Sequence, residues 1–304
     1  MFCVVSTTLA QRNHSLDDRR LAKVRDSLDR LIVITPRASA SLVRLGQVEL
    51  YSSSTVASAD FMYDKQGNNA NFSGRALGFN SFLQVNAGIT KNRRINIGLE
   101  GLFQMFRQDY EGSDNMFSIL NGDSTTINSF TYAGVRVRLQ PLKRVFNFTW
   151  QSYLWLPIAS VDKQKQLRTY KYNWGNTLYY YWYFTPDFGI IANAGGLALI
   201  PSSVTVDYLG EEEKKTEFLY NAGLTLSWIP IRKNILFGTV TYARSNKDIA
   251  TLFEGADSDF LELRAGYQRT INKRFSFNVS YATIALAHNY SKWQQVNFGL
   301  RYVL

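Results

Sequence analysis

The side chains that could do covalent or acid–base chemistry are few. The chain holds two histidines, His14 and His288, and one cysteine, Cys3. His288 stands in Ala287-His288-Asn289-Tyr290-Ser291, where an imidazole, a hydroxyl and an amide could form a nucleophile–base–orienter set. No glycine-rich phosphate loop lies between a strand and a helix, no histidine pair has metal-ligand spacing, and no carboxylate pair marks a cleft. A soluble-style catalytic centre is therefore not visible, and neither a cofactor nor a metal is expected.

The elements that would position any site fall into three stretches. Residues 1–10 are apolar and small and end in Thr8-Leu9-Ala10, which reads as the remnant of a secretory signal. With that stretch removed no cysteine remains, so disulfides, thiol catalysis and Cys-ligated zinc are excluded. Residues 11–45 hold the one helix the pattern predicts, at about 15–32. Ser15 can cap it, Asp17 and Asp18 favour its first turn, and Leu21, Val24, Leu28 and Leu31 form a narrow apolar stripe before Pro36. That stripe needs a surface to lie on, either the rest of the chain or a partner protein.

From residue 46 to 304 the period becomes two. Val296, Phe298, Leu300, Tyr302 and Leu304 alternate with Asn297, Gly299, Arg301 and Val303. Similar segments recur at about 46–63, 74–90, 95–110, 125–141, 144–159, 170–185, 188–202, 215–231, 234–248, 257–271 and 275–290, which makes about twelve strands. Strands in soluble sandwiches run about five or six residues, much shorter than these. No stretch has the roughly 18–20 apolar residues of a membrane helix, so a membrane span would require a closed barrel.

Short connections fall at 91–94, 142–144, 186–187, 232–234 and 272–274. Longer ones fall at about 64–73, 111–124, 160–169, 203–214 and 249–256, and a further tight link is placed at 290–292. Short turns thus share one end with both termini. Tyr170, Tyr172 and Trp174, then Tyr180, Trp182 and Phe184, fit two interfacial girdles, whereas Tyr179, Tyr181 and Tyr183 would point inward to fill a narrow lumen.

The alternating C-terminal segment resembles that of Gram-negative outer-membrane β-barrels, with Leu304 where an aromatic residue usually ends the chain. The resemblance is to small transporter-like and porin-like barrels. It implies an all-β, up-and-down antiparallel transmembrane barrel of about 12 strands with a short N-terminal helix. It implies an integral outer-membrane location with periplasmic termini, and recognition of strand 296–304 by the barrel-assembly machinery.

The net charge of +10 does not point to nucleic acid, because the basic residues are dispersed and no basic helix or aromatic platform gathers them. Lys91, Arg93, Arg94, Lys143, Arg144, Arg232, Lys233, Lys273 and Arg274 would make a basic rim at the short-turn end. That rim suits anionic headgroups, or simply keeps the turns in water. The opposite edge carries Asp64, Asp109, Glu111, Asp114, Asp123, Glu211, Glu212, Glu213, Glu254 and Asp257, which read as a solvated loop face or as carboxylates sharing divalent ions with lipopolysaccharide.

The inward parity carries Glu49, Glu100, Arg136, Arg138, Lys171, Glu262, Arg264 and Arg301. Glu100 is expected to meet Arg136 and Arg138 across strands, and Glu49 to meet Arg301 across the barrel seam. Such a network either satisfies buried charge or, with its excess of cations, favours small anions in a narrow pore. The leading reading is a channel or transporter for small polar or anionic solutes. The alternative is a non-conducting barrel subunit of an envelope assembly. A lipid-modifying barrel enzyme ranks third, because His288 reads as inward and its spacing departs from the His-x-Ser pattern of such enzymes.

Overall fold

The computed structural model describes residues 42–64, 66–90, 94–110, 115–142, 147–167, 169, 171–185, 187–202, 216–246, 258–272 and 274–304. The expected signal remnant and helix 15–32 lie outside them. Wherever the sequence alternates with period two, the chain forms a strand. These are β1 (Val48–Tyr63), β2 (Asn69–Gly88), β3 (Ile95–Asp109), β4 (Ile127–Leu139), β5 (Phe148–Pro157), β6 (Tyr172–Thr185), β7 (Phe188–Ile200), β8 (Glu217–Ile231), β9 (Asn234–Ser245), β10 (Ser258–Thr270), β11 (Phe275–His288) and β12 (Tyr290–Val303).

Each strand pairs antiparallel with the next, and β12 pairs with β1 to close the barrel. At the seam Glu49 stands opposite Val303 and Tyr51 opposite Arg301. Leu304 donates its N–H to Val48 O at 2.8 Å, so pairing runs to the last residue. Closure leaves no sheet edge with unpaired backbone groups. Tight turns use left-handed backbone where they need it, at Lys233 (φ 75°) and Asn289 (φ 49°).

Several expectations change in detail. β2 begins at Asn69 rather than 74, since a register shift between Ala59 and Phe61 lets pairing with β1 continue past it. The expected link at 290–292 is a turn at Asn289, and β12 starts at Tyr290. Two long connections contain helix: a 3-10 turn, Met116–Asn121, capped by the Asn115 side chain, and α1, Val161–Leu167.

A bulge between Leu261 and Glu262 on the β10–β11 ladder has the largest consequence. One extra residue on β11 reverses its parity beyond that point. His288 therefore stands on the outer wall opposite Asp259, not on the inward face.

The outer wall is apolar and open. Leu83, Leu99, Leu224 and Leu226 are all about half exposed or more, as lipid-facing positions of a barrel are. One sector differs. The 3-10 turn folds back over β1–β3, and Ile119 packs on Val56 and Leu77, with Phe79, Met105 and Met116 around them. Arg107, buried under this strap, donates to Asp123 Oδ2 at 2.7 Å and to Ser118 Oγ at 2.6 Å. Loop backbone cannot lie in hydrocarbon, so the apolar band on β1–β3 must end below the strap.

Hydrogen bonds from Thr125 and Thr126, then the Arg107 charge, hold the Asp123 carboxyl well below the usual carboxylate range. A depressed folded value contributes docking stability above the unfolded carboxylate pKa of about 3.9 and loses it as pH falls through the folded value. Amide protection at Ser118 and Ile119 should thus exceed that of an Asp123→Ala variant at neutral pH. The gap should close only well below about pH 4. Equal protection at neutral pH would show that the apolar contacts alone hold the strap.

Candidate lumen site

Period-two alternation turns Glu49 and Tyr51 of β1, Gln84 and Asn86 of β2, Glu100 of β3, Arg136 and Arg138 of β4, and Gln151 and Tyr153 of β5 to the inside. Five of the sequence-derived lumen charges meet there as one belt. Glu49 is completely buried; its Oε1 accepts from Arg301 Nε at 3.2 Å and its Oε2 lies 3.9 Å from Arg138 Nη1. Arg136 pairs with Glu100, and Trp155 Nε1 donates to the same carboxylate.

Gln151, a neutral residue that a search for charges passes over, joins the two arginines. Its Oε1 accepts from Arg136 Nη1 at 2.8 Å and from Arg138 Nε at 3.0 Å. The Arg136 guanidinium also lies 5.7 Å from the Phe82 ring centre and 5.6 Å from that of Tyr153, a cation–π arrangement strengthened by removal from water. Glycines seat these rings. A Cβ on Gly134 would stand 2.3 Å from Trp155, and one on Gly175 2.1 Å from Tyr153. Both rings can then lie flat along the wall.

The remaining lumen charges stand apart from the belt. Arg264 pairs with Glu262 two residues away on its own strand, Nη2 to Oε1 at 2.9 Å, rather than across strands. Lys171 Nζ meets Glu217 at 2.6 Å, both buried. Glu217 did not figure among the lumen candidates, although it shares the parity of Thr225 and Ser227. Tyr179 and Tyr181 do point inward and pack with Ile191, Ile235 and Phe237.

The chain just before β1 also lies inside. Val43 N donates to Asn96 Oδ1 at 2.9 Å, and Asn96 Nδ2 donates to Val43 O at 3.0 Å. Gly88, on the inward parity of Gln84 and Asn86, underlies this segment, since a Cβ there would come within 2.1 Å of Arg44 O. Leu42 and Val43 are buried as a result.

The basic rim is seen in part, because Lys91, Arg93, Lys143, Arg144 and Lys273 lie outside the described residues. Arg94 donates to Gln140 O and Pro141 O, and Lys233 to Ile271 O, so both tie turns together. Arg232 and Arg274 are exposed. At the opposite end His288 Nδ1 lies 2.8 Å from Asp259 Oδ1, with Nε2 against Gly67. Ser291, the hydroxyl that would complete a nucleophile set, is buried and points to the inward parity.

No family model matches the sequence, and no curated protein matches it. Solved structures do share the architecture. An outer-membrane channel from Pseudomonas putida F1 superposes with a TM-score of 0.62 at 10% identity, over 90% of this chain and all of that one. The NanC porin gives 0.50 at 11% identity, over 83% and 98%. The chain is a twelve-stranded barrel of the outer-membrane channel fold. In such a barrel the belt lines, and narrows, the space inside the wall. The likeness is one of fold, and what the lumen does must be argued from its own side chains.

Proposed function

We propose that this barrel is an integral outer-membrane channel with its termini and short turns in the periplasm, passing small polar or anionic solutes through a narrow lumen. The supporting observation is the inward charge set. Arg136, Arg138, Lys171, Arg264 and Arg301 outnumber Glu49, Glu100, Glu217 and Glu262, and a lumen with surplus fixed cations favours anions. Arg301 is the most accessible of the arginines paired in this set, at 19% side-chain exposure, so it is the residue a permeating anion would meet. Exposed Arg232 and Arg274 suit anionic headgroups of the adjoining leaflet, and β12 suits recognition by assembly machinery. We assign no catalytic role to His288, whose ring is held by Asp259.

Reversal potentials in planar bilayers under a KCl gradient test this reading. The purified barrel should give steady small openings that prefer chloride, and Arg301→Gln should reduce that preference severalfold. Silence from a barrel shown folded by heat-modifiable gel migration would overturn it. The close pairing of the belt, which leaves Glu49, Arg136 and Arg138 out of water, would then favour the non-conducting subunit of an envelope assembly.

A further inference from the structure

The belt is carried by strands and its position follows from their closure. The segment 42–47 is different: it enters the lumen ahead of β1 at the end where the short turns lie, and it does so by specific contacts. Asn96 both accepts from and donates to the Val43 backbone, so one inward side chain replaces a strand partner for that residue. Gly88 N donates to Gln47 O at 3.1 Å, Gly46 N approaches Gly88 O at 3.4 Å, and the Gln47 side chain accepts from Arg44 N at 3.0 Å. Leu45 forms an isolated parallel bridge to Gly88. A buried backbone group without a partner is costly, and this pattern supplies partners to a strap lying on the inner wall instead of leaving the barrel directly.

The strap needs a position without a side chain beneath it. Gly88 is the last residue of β2, and no left-handed backbone requires glycine there. Yet its Cβ would stand 2.1 Å from Arg44 O and 2.5 Å from Val43 O, distances that no packed carbon and oxygen adopt. A strand glycine often marks a close approach of another backbone, and here it makes room for the strap.

We propose that segment 42–47 is a pore-lining constriction, pinned by Asn96 and admitted by Gly88, that sets the solute size limit at the short-turn mouth. This rests on the channel reading above. Mouth width then depends on the strap as well as on strand number, and a solute leaving the Glu49–Arg301 pair passes the exposed Arg44 and Leu45 next.

The test uses the full chain with Cys3→Ser, in planar bilayers and in liposome swelling with glucose, sucrose, raffinose and stachyose. Gly88→Ala and Asn96→Ala should each raise single-channel conductance by about half or more and admit a larger sugar than the parent does. In a Leu45→Cys variant, a positively charged methanethiosulfonate reagent should lower the current, whereas at exposed Asn128 on the outer wall the same change and reagent should not. If the parent conducts and all these variants match it in current and size limit, with the barrel folded by heat-modifiable migration, the strap proposal is wrong and the channel reading stands. If no folded form conducts, the channel reading fails and the strap proposal goes with it.

Discussion

Glu49→Leu should lower the unfolding free energy of the barrel by about 3–5 kcal/mol, the range for removing one partner of a buried ion pair. Glu49 is wholly buried and serves two guanidinium groups, at 3.2 Å from Arg301 and 3.9 Å from Arg138. Arg301 retains some access to water and can turn toward it. Arg138, one of the most buried large side chains, cannot, and would keep its charge without the Glu49 carboxylate, beside the Gln151 oxygen. The position adds to the effect, because the β1–β12 pairing closes the barrel and Glu49 bridges those two strands. Urea titration in lipid vesicles, followed by tryptophan emission, measures the change. A second substitution separates charge from packing: Glu49→Leu with Arg138→Met should recover much of the loss, since an apolar pair of similar volume often replaces a buried ion pair without cost. A loss below about 1 kcal/mol for Glu49→Leu would place the pair with exposed salt bridges and remove it as a seam fastener.

Leu224→Arg should cost about 2–4 kcal/mol, and Tyr220→Arg no more than about 1 kcal/mol. Both side chains point outward from β8 and both are more than half exposed. Leu224 lies at the middle of Glu217–Ile231 and Tyr220 near the end where the longer connections lie. An arginine at mid-depth must be solvated inside hydrocarbon, whereas near the interface its headgroup reaches water and phosphate. The same vesicle titrations give both numbers. Small and equal costs at the two positions would mean that this wall does not face the bilayer core, and would undercut the membrane placement along with the channel.

Much of this architecture can be read from residue order alone, because its rule is local. In a strand successive side chains alternate between two faces, so the runs ending in Phe298-Gly299-Leu300-Arg301, or containing Phe148-Thr149-Trp150-Gln151, assign their faces without knowledge of any partner. Counting such runs yields twelve strands. The alternation of short and long connections places the short turns at the end where β1 starts and β12 finishes, and opposite charges near those two strand ends bring Glu49 and Arg301 together. Each inference needs only parity and the fact of closure.

What local periodicity could not decide depends on single-residue irregularities and on distance through the lumen. One bulged residue on β11 inverts every later side chain of that strand, which moved His288 from the expected inner face to the outer wall beside Asp259. No composition signal distinguishes that residue from its neighbours. Partner choice is equally tertiary. Arg138 reaches Glu49 three strands away, and Arg264 takes Glu262 on its own strand, because the curved wall directs long side chains toward a shared interior where several partners compete. The two straps, one outside over Leu77 and one inside over Gly88, follow from shape complementarity between loop and wall: Ile119 finds a buried apolar patch, and Val43 finds a glycine floor with Asn96 beside it. The sequence by itself determined a twelve-stranded barrel and the face of most of its strand residues, since period two is a property of the backbone. The tertiary structure alone decided the partners of Arg264 and Lys171, the face His288 takes and what narrows the mouth, since those depend on bulges and on contacts between segments far apart in the chain.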